Sequence, residues 1–209
     1  YAELVKKYYP DKTFIVTPMK QEMQRCRIAY EQAAMGKKTA MVCSGDAGVY
    51  GMAGIMYELN KDYTNVELEI IPGVTAALSG SSVLGAPISH DFSVISLSDL
   101  LTPWELIAKR IECAAMSDMC MSIYNPSSKK RHDYLHRACE IILKYKNEDT
   151  VCGYVKNIGR DGEEYKIMTL KELSYEPTDM FTTVFIGNKD TKVINGKMVT
   201  PRGYKNISL

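Results

Sequence analysis

At 209 residues, with 45% hydrophobic and 24% charged positions, the chain has ordinary globular composition and room for one or two α/β-sized units. Its 26 basic and 25 acidic residues nearly cancel, which removes any general electrostatic reason to expect a nucleic-acid or membrane-surface partner. No apolar run approaches the roughly 18 residues of a membrane span, so a small-molecule partner is the expectation.

Residues 13–16, 39–43 and 66–71 are short apolar runs separated by amphipathic stretches, the alternation of α/β layers on a mainly parallel sheet. Between the first two, Met19, Met23, Cys26, Tyr30 and Ala33 recur at helical spacing before Gly36, which predicts a packed helix within 19–37. The run 39–43 enters Ser44-Gly45-Asp46-Ala47-Gly48-Val49-Tyr50-Gly51, three glycines and one acid at a strand-to-helix junction. Backbone must approach something closely there, and the carboxyl ends of strands in an open α/β sheet form the ligand crevice. A glycine-rich turn capped by Asp46 is the structural alternative, and neither a Walker loop nor a G-x-G-x-x-G is present. A second junction, Ile70-Ile71-Pro72-Gly73-Val74-Thr75-Ala76-Ala77, opens a small-residue helix over 77–85; it admits either a planar ligand or merely a tight corner.

The polar stretch 88–92 marks a boundary, giving an amino-terminal α/β lobe over 1–90 and a carboxyl-terminal lobe over 91–209. In the second lobe 93–97 reads as a strand. Thr102-Pro103-Trp104-Glu105 supplies a Thr N-cap, Pro at the first helical position and Glu three residues after the cap, predicting a helix to Ala115. Residues 119–124 read as a strand, 128–145 as a helix, 150–155, 164–170 and 181–186 as strands. Asn195-Gly196 between two short apolar runs is a two-residue hairpin signal, so this lobe is a mixed sheet.

Six cysteines without a C-x-x-C pair read as reduced thiols, mostly buried, and point to the cytoplasm, although the sequence opens at Tyr1 rather than at an initiator Met. His132 and His136 stand one helical turn apart, but no third ligand is near, so no protein-bound metal is expected. Trp104 is expected in the core.

Taken in order, S-G-D-A-G-V-Y-G, I-P-G-V-T-A-A, G-A-P-I-S-H-D-F and I-S-L-S-D-L-L-T-P-W resemble the tetrapyrrole methylase family over essentially the whole chain. The H-D-F, T-P-W-E and I-Y-N-P elements, with M-F-T-T-V-F-I-G-N and G-K-M-V-T-P-R-G-Y near the end, resemble its C-17-methylating, ring-contracting branch. That resemblance implies a two-lobed fold with an active-site trough between the lobes, S-adenosylmethionine as methyl donor, a tetrapyrrole substrate and a homodimer. The family's first strand and G-x-G-P-G loop are not found, as though this sequence started late in the family pattern, either because it is a fragment or because the protein lacks them; Ala47 also replaces the usual Pro after the Gly-Asp pair.

By motif, the resemblance places Gly45, Asp46, Val49, Thr75, Ala76, Asn125 and Ile158 around S-adenosylmethionine. Methyl transfer needs positioning rather than a nucleophile, whereas ring contraction moves protons, for which His90, Asp91 and Tyr124 are the candidates. The substrate's carboxylates call for cations among Lys129, Lys130, Arg131, Lys156, Arg160 and Arg202, with Arg131 and Arg160 first because they follow strand ends. A methylase of another ring position and a non-catalytic module binding corrinoid or S-adenosylmethionine are the alternatives.

Overall fold

A computed structural model describes residues 2–204 of the chain, which divides into two compact units, Tyr1–Thr75 and Ala76–Leu209. Residues 76–90, assigned to the first lobe from sequence, pack with the second unit here.

Among the described residues the first unit carries three helices, α1 (Ala2–Lys6), α2 (Glu22–Ala34) and α3 (Ala53–Asn60). The helical stripe read from the sequence is half realised: Cys26 and Tyr30 are buried, while Met19 and Met23 face solvent. Tyr30 stacks on Tyr63 at 4.8 Å between ring centres and donates its hydroxyl to the Met56 carbonyl at 2.7 Å, which locks α2 to α3. After α2 the amide of Gly36 reaches the Ala33 carbonyl and that of Lys37 the Gln32 carbonyl, closing the helix as its glycine predicts.

Residues 13–16, 39–43 and 66–71 join no ladder, so the mainly parallel sheet expected of this unit is not formed among the described residues. Apolar alternation encodes an extended chain, but a strand also needs a neighbour for its N–H and C=O groups. Here Ile15, Val16, Val42 and Ile71 remain exposed. Met41, Cys43, Val66 and Leu68 instead lean on the core made by Cys26, Tyr30, Met52, Met56 and Leu59.

The second unit begins with α4 (Ala76–Leu84) and β1 (Gly85–Ala86), followed by β2 (Phe92–Ser96), α5 (Trp104–Met116), β3 (Cys120–Tyr124) and α6 (Tyr134–Ile142). It continues with β4 (Val151–Lys156), β5 (Glu164–Thr169), α7 (Leu170–Leu173), β6 (Thr182–Ile186), β7 (Lys192–Ile194) and β8 (Lys197–Val199). Five strands form a mixed sheet in the order β2-β3-β6-β4-β5, with β2 and β3 parallel and the other pairs antiparallel. A smaller sheet, β1-β8-β7, pairs β1 in parallel with β8. The β7-β8 hairpin turns through Asn195 and Gly196, both at positive φ (49° and 74°), as a type I′ turn requires.

Helices α5 and α6 each bury one stripe, Ile107, Ile111, Ala114 and Ala115 on the first and Leu135, Ala138, Cys139 and Ile142 on the second. With Met121, Ile123, Val184 and Ile186 of the sheet these form the main core, each fully buried Leu or Ile contributing about 1.5–3 kcal/mol. Two helix starts differ from expectation. Pro103 itself is the N-cap of α5, at the extended ψ of 144°, so no side chain accepts a capping bond at that position. Residues 128–131 are a tight turn with reciprocal Ser128 and Arg131 backbone bonds, so α6 starts only after Asp133. No helix among the described residues is long and apolar enough to cross a membrane.

Candidate active site

Within the first unit the two glycine junctions are one construction. The Asp46 carboxylate accepts the Gly48 amide at 2.8 Å with one oxygen and the Gly73 amide at 2.9 Å with the other. Those amides, Gly73 first, hold the carboxyl below its ordinary range. Gly73 lies so close to the other loop that a Cβ there would fall 2.1 Å from the Gly45 carbonyl oxygen, so only glycine fits. Asp46 therefore acts as a clasp between loops, directly after Gly45, which takes a φ of 75°.

Within the second unit the register decides which residues share a place. β2 and β3 run parallel with Ser96 beside Tyr124, and β4 runs in the same direction because β6 is antiparallel to both β3 and β4. The carboxyl ends of β2, β3 and β4 thus lie on one edge of the sheet, with the segments 97–103, 125–133 and 157–163 above it. At this edge the Tyr124 hydroxyl oxygen accepts the amide of Ala77 from the first turn of α4 at 2.6 Å. Asn125, at φ 52°, turns its side chain back so that Nδ2 donates to Ser96 Oγ at 3.0 Å. Ala76 opens α4 beside this contact, and Ile158 packs on the cluster of Leu84, Val155, Phe185 and Met198. A Cβ on Gly80 would meet Ile158 Cδ1 at 2.9 Å, so α4 rests closely on that side chain.

Arg131 is fastened on the same edge. Its Nη1 donates to Ser98 Oγ at 2.7 Å and Asp99 Oδ1 at 3.2 Å, and its Nε to Ser128 Oγ at 3.2 Å. Asp99 Oδ2 in turn accepts the Tyr134 hydroxyl at 2.6 Å, the principal reason its carboxyl is held below the ordinary range. Arg160 lies in the 157–163 turn, where its amide meets the Asn157 carbonyl and its carbonyl the Glu163 amide. Lys156 is paired with Asp179 at 3.3 Å and Glu164 at 3.5 Å.

His90 and Asp91 are elsewhere. They precede Phe92, which pairs with Cys120, so the length of β2, roughly 13 Å at ~3.3 Å per residue, separates them from Tyr124. Both are exposed, and the His90 Nδ1 accepts the Asp91 amide at 2.8 Å in a local turn. His136 is engaged by Ser174 and stands 3.7 Å from Glu140. Trp104 is half-buried against the main core rather than enclosed by it, with Arg137 stacked 4.0 Å above its ring.

Ser96, Ser98, Asp99, Ser128 and Tyr134 did not emerge as site residues from the sequence. The Ser-Asp after the second-lobe strand was a visible signal, but its partners at 128–134 lie on another strand's loop.

The chain belongs to the tetrapyrrole (corrin/porphyrin) methylases, whose family model matches residues 2–174. It is 47% identical to the "Probable cobalt-factor III C(17)-methyltransferase" of Salmonella typhimurium over 98% of this chain and 85% of that one. It is likewise 47% identical to the cobalt-factor III methyltransferase of Priestia megaterium over 98% of this chain, which spans 39% of that longer protein. Among solved structures, the methyltransferase CobJ is 33% identical and superposes with a TM-score of 0.82, covering 88% of this chain and 79% of that one.

Proposed function

We propose that this chain transfers a methyl group from S-adenosylmethionine to C-17 of a precorrin-3B or cobalt-factor III macrocycle, with ring contraction, in cobalamin biosynthesis. What carries this reading is the 47% identity, sustained over 98% of the chain, to a relative named for C(17) methylation. S-adenosylmethionine, when bound, supplies an electrophilic sulfonium methyl; the protein's part is to hold donor and acceptor in line and keep water out.

The residues suit that task. In the first unit we assign Gly45, Asp46, Val49 and Thr75 to the methyl donor, the Asp46 clasp keeping its loop in shape. In the second unit we assign Ala76, Asn125 and Ile158 to it, where α4 opens on small residues and Asn125 follows the end of β3. Arg131 and Arg160 are assigned to substrate carboxylates. For the proton movement of ring contraction we assign Tyr124 ahead of His90 and Asp91, because Tyr124 shares the sheet edge with Asn125 and Arg131. The family resemblance also supports a cytoplasmic homodimer, which light scattering of the purified protein tests for subunit number.

The test is turnover with S-adenosylmethionine carrying a carbon-13 methyl and either macrocycle. Label found at C-17 of a ring-contracted product is the expected result. Label at another ring carbon makes the chain a methylase of different regiochemistry, and binding of both ligands without turnover makes it a non-catalytic module.

A further inference from the structure

Resting on the assignment of Arg131 to substrate, we propose that Asp99, itself steadied by Tyr134, is a positioning residue that holds Arg131 so that its Nη2 meets one acid side chain of the macrocycle, and so sets selectivity for highly carboxylated rings. The argument starts from the donors of the guanidinium. Nε and Nη1 are occupied by Ser128, Ser98 and Asp99, whereas Nη2 has no protein partner among the described residues. The Arg131 side chain is 16% exposed, so it is largely immobilised and still reaches solvent. The Nη2 nitrogen still carries two N–H donors for a carboxylate, and a guanidinium already fixed in place loses less freedom on binding.

What holds the guanidinium is a chain of contacts across two loops. Asp99 receives Arg131 on Oδ1 and Tyr134 on Oδ2, so neither oxygen can swing away. Tyr134 is braced by the Trp104 ring, 4.5 Å between centroids, and by Arg137, whose guanidinium lies 4.0 Å from the Trp104 ring centre and 5.0 Å from that of Tyr134. Ser98 and Ser128 each add a hydroxyl acceptor, and the 128–131 backbone turn fixes where Arg131 begins. An arginine with no task beyond solubility does not need three side-chain acceptors on two loops. The whole group stands at the carboxyl ends of β2 and β3, the edge where an α/β sheet receives its ligand.

The experiment measures binding of two stable rings, uroporphyrin and its less carboxylated counterpart coproporphyrin, to the full chain and to variants, with S-adenosylhomocysteine titrated alongside. The expected result is uroporphyrin binding weakened on the order of ten-fold by Arg131→Gln and by Asp99→Asn, and less by Tyr134→Phe, the scale of one hydrogen bond to a charged group. The preference for uroporphyrin over coproporphyrin shrinks in the same variants and is restored by Asp99→Glu, while the unfolding midpoint and S-adenosylhomocysteine affinity stay unchanged. A merely structural Asp99 would shift the midpoint and leave the preference between rings intact, which overturns the proposal. Unchanged or tighter uroporphyrin binding in Asp99→Asn overturns it too, and leaves the methyltransferase reading standing if S-adenosylhomocysteine still binds. Failure of the unaltered chain to bind either ring or S-adenosylhomocysteine sinks both.

Discussion

The hydroxyl oxygen of Tyr124, at the carboxyl end of β3, accepts the amide of Ala77 in the first turn of α4 at 2.6 Å, so one side chain of the sheet holds the start of the helix that opens the second unit. Tyr124→Phe keeps the ring and strands that amide. We expect a loss of about 1 kcal/mol in stability, read as a lower urea midpoint with unchanged slope, because a half-buried donor loses its acceptor. If the assignment of Tyr124 to ring contraction holds, the same variant still methylates but accumulates uncontracted product, which mass and absorbance spectra distinguish.

Lys146 is almost wholly buried, its side chain 2% exposed, and meets Asp118 at 2.7 Å; Asp118 also accepts the Lys189 amide. Asp118→Asn leaves a buried ammonium without its counter-charge and is expected to cost about 2 kcal/mol. That falls below the ~3–5 kcal/mol of a fully enclosed pair because Asp118 keeps 35% of its side chain exposed. Lys146→Met keeps the stem and removes the charge, so its cost is expected to be smaller. Thermal unfolding of both variants checks the order; an equal or reversed order would show that the charge itself matters little.

Asp46 is held below its ordinary range chiefly by the Gly73 amide. A depressed carboxyl stabilises the clasp at every pH above its ordinary value of about 3.9 and loses that contribution as pH falls through the lower folded value. Binding of S-adenosylhomocysteine is therefore expected to be flat across the neutral and mildly acid range, as far as this group is concerned, and to weaken only in acid below the ordinary carboxyl value. Asp46→Asn replaces one accepting oxygen with a donor facing an amide, so it weakens binding at neutral pH and abolishes the acid step. Calorimetric titration across pH measures both.

The thiols divide by burial. Burial pushes the Cys139 thiol up to about 12 and Cys152 well above its ordinary value, while Cys113 is exposed. Near pH 8 only about one Cys139 in ten thousand would be thiolate, so iodoacetamide is expected to label Cys113 first and to reach Cys139 and Cys152 only after denaturation. Peptide mapping of the alkylated protein follows the order.

Local chemistry was legible in the sequence where it acts over a few residues. Asn195-Gly196 announced its hairpin, and the strands at 119–124, 150–155 and 181–186 fall within a residue or so of β3, β4 and β6. Where the outcome depended on a distant partner, the pattern was insufficient. Residues 13–16 form an apolar run like a strand but have no ladder neighbour among the described residues, and Thr102 looked like a cap until Pro103 took the position. The site divides the same way. Asp46 and Asn125 stood out as residues of glycine or strand-end motifs, but the Asp46 grip on Gly73 spans 27 positions and the Asp99 grip on Arg131 spans 32, separations that no local periodicity records.

The small sheet ties the opening of the second unit to nearly its last described residues. Gly85 and Ala86 pair with Met198 and Val199, and just beyond them Thr200 donates its hydroxyl to the Pro87 carbonyl and its amide to the Ala86 carbonyl at 3.0 Å. During synthesis, then, β1 leaves the ribosome more than a hundred residues ahead of its partner and waits unpaired while the five-stranded sheet is made. Closure of this unit is a late event set by translation, and a messenger cut short before Lys197 yields a chain whose early strand never finds its mate.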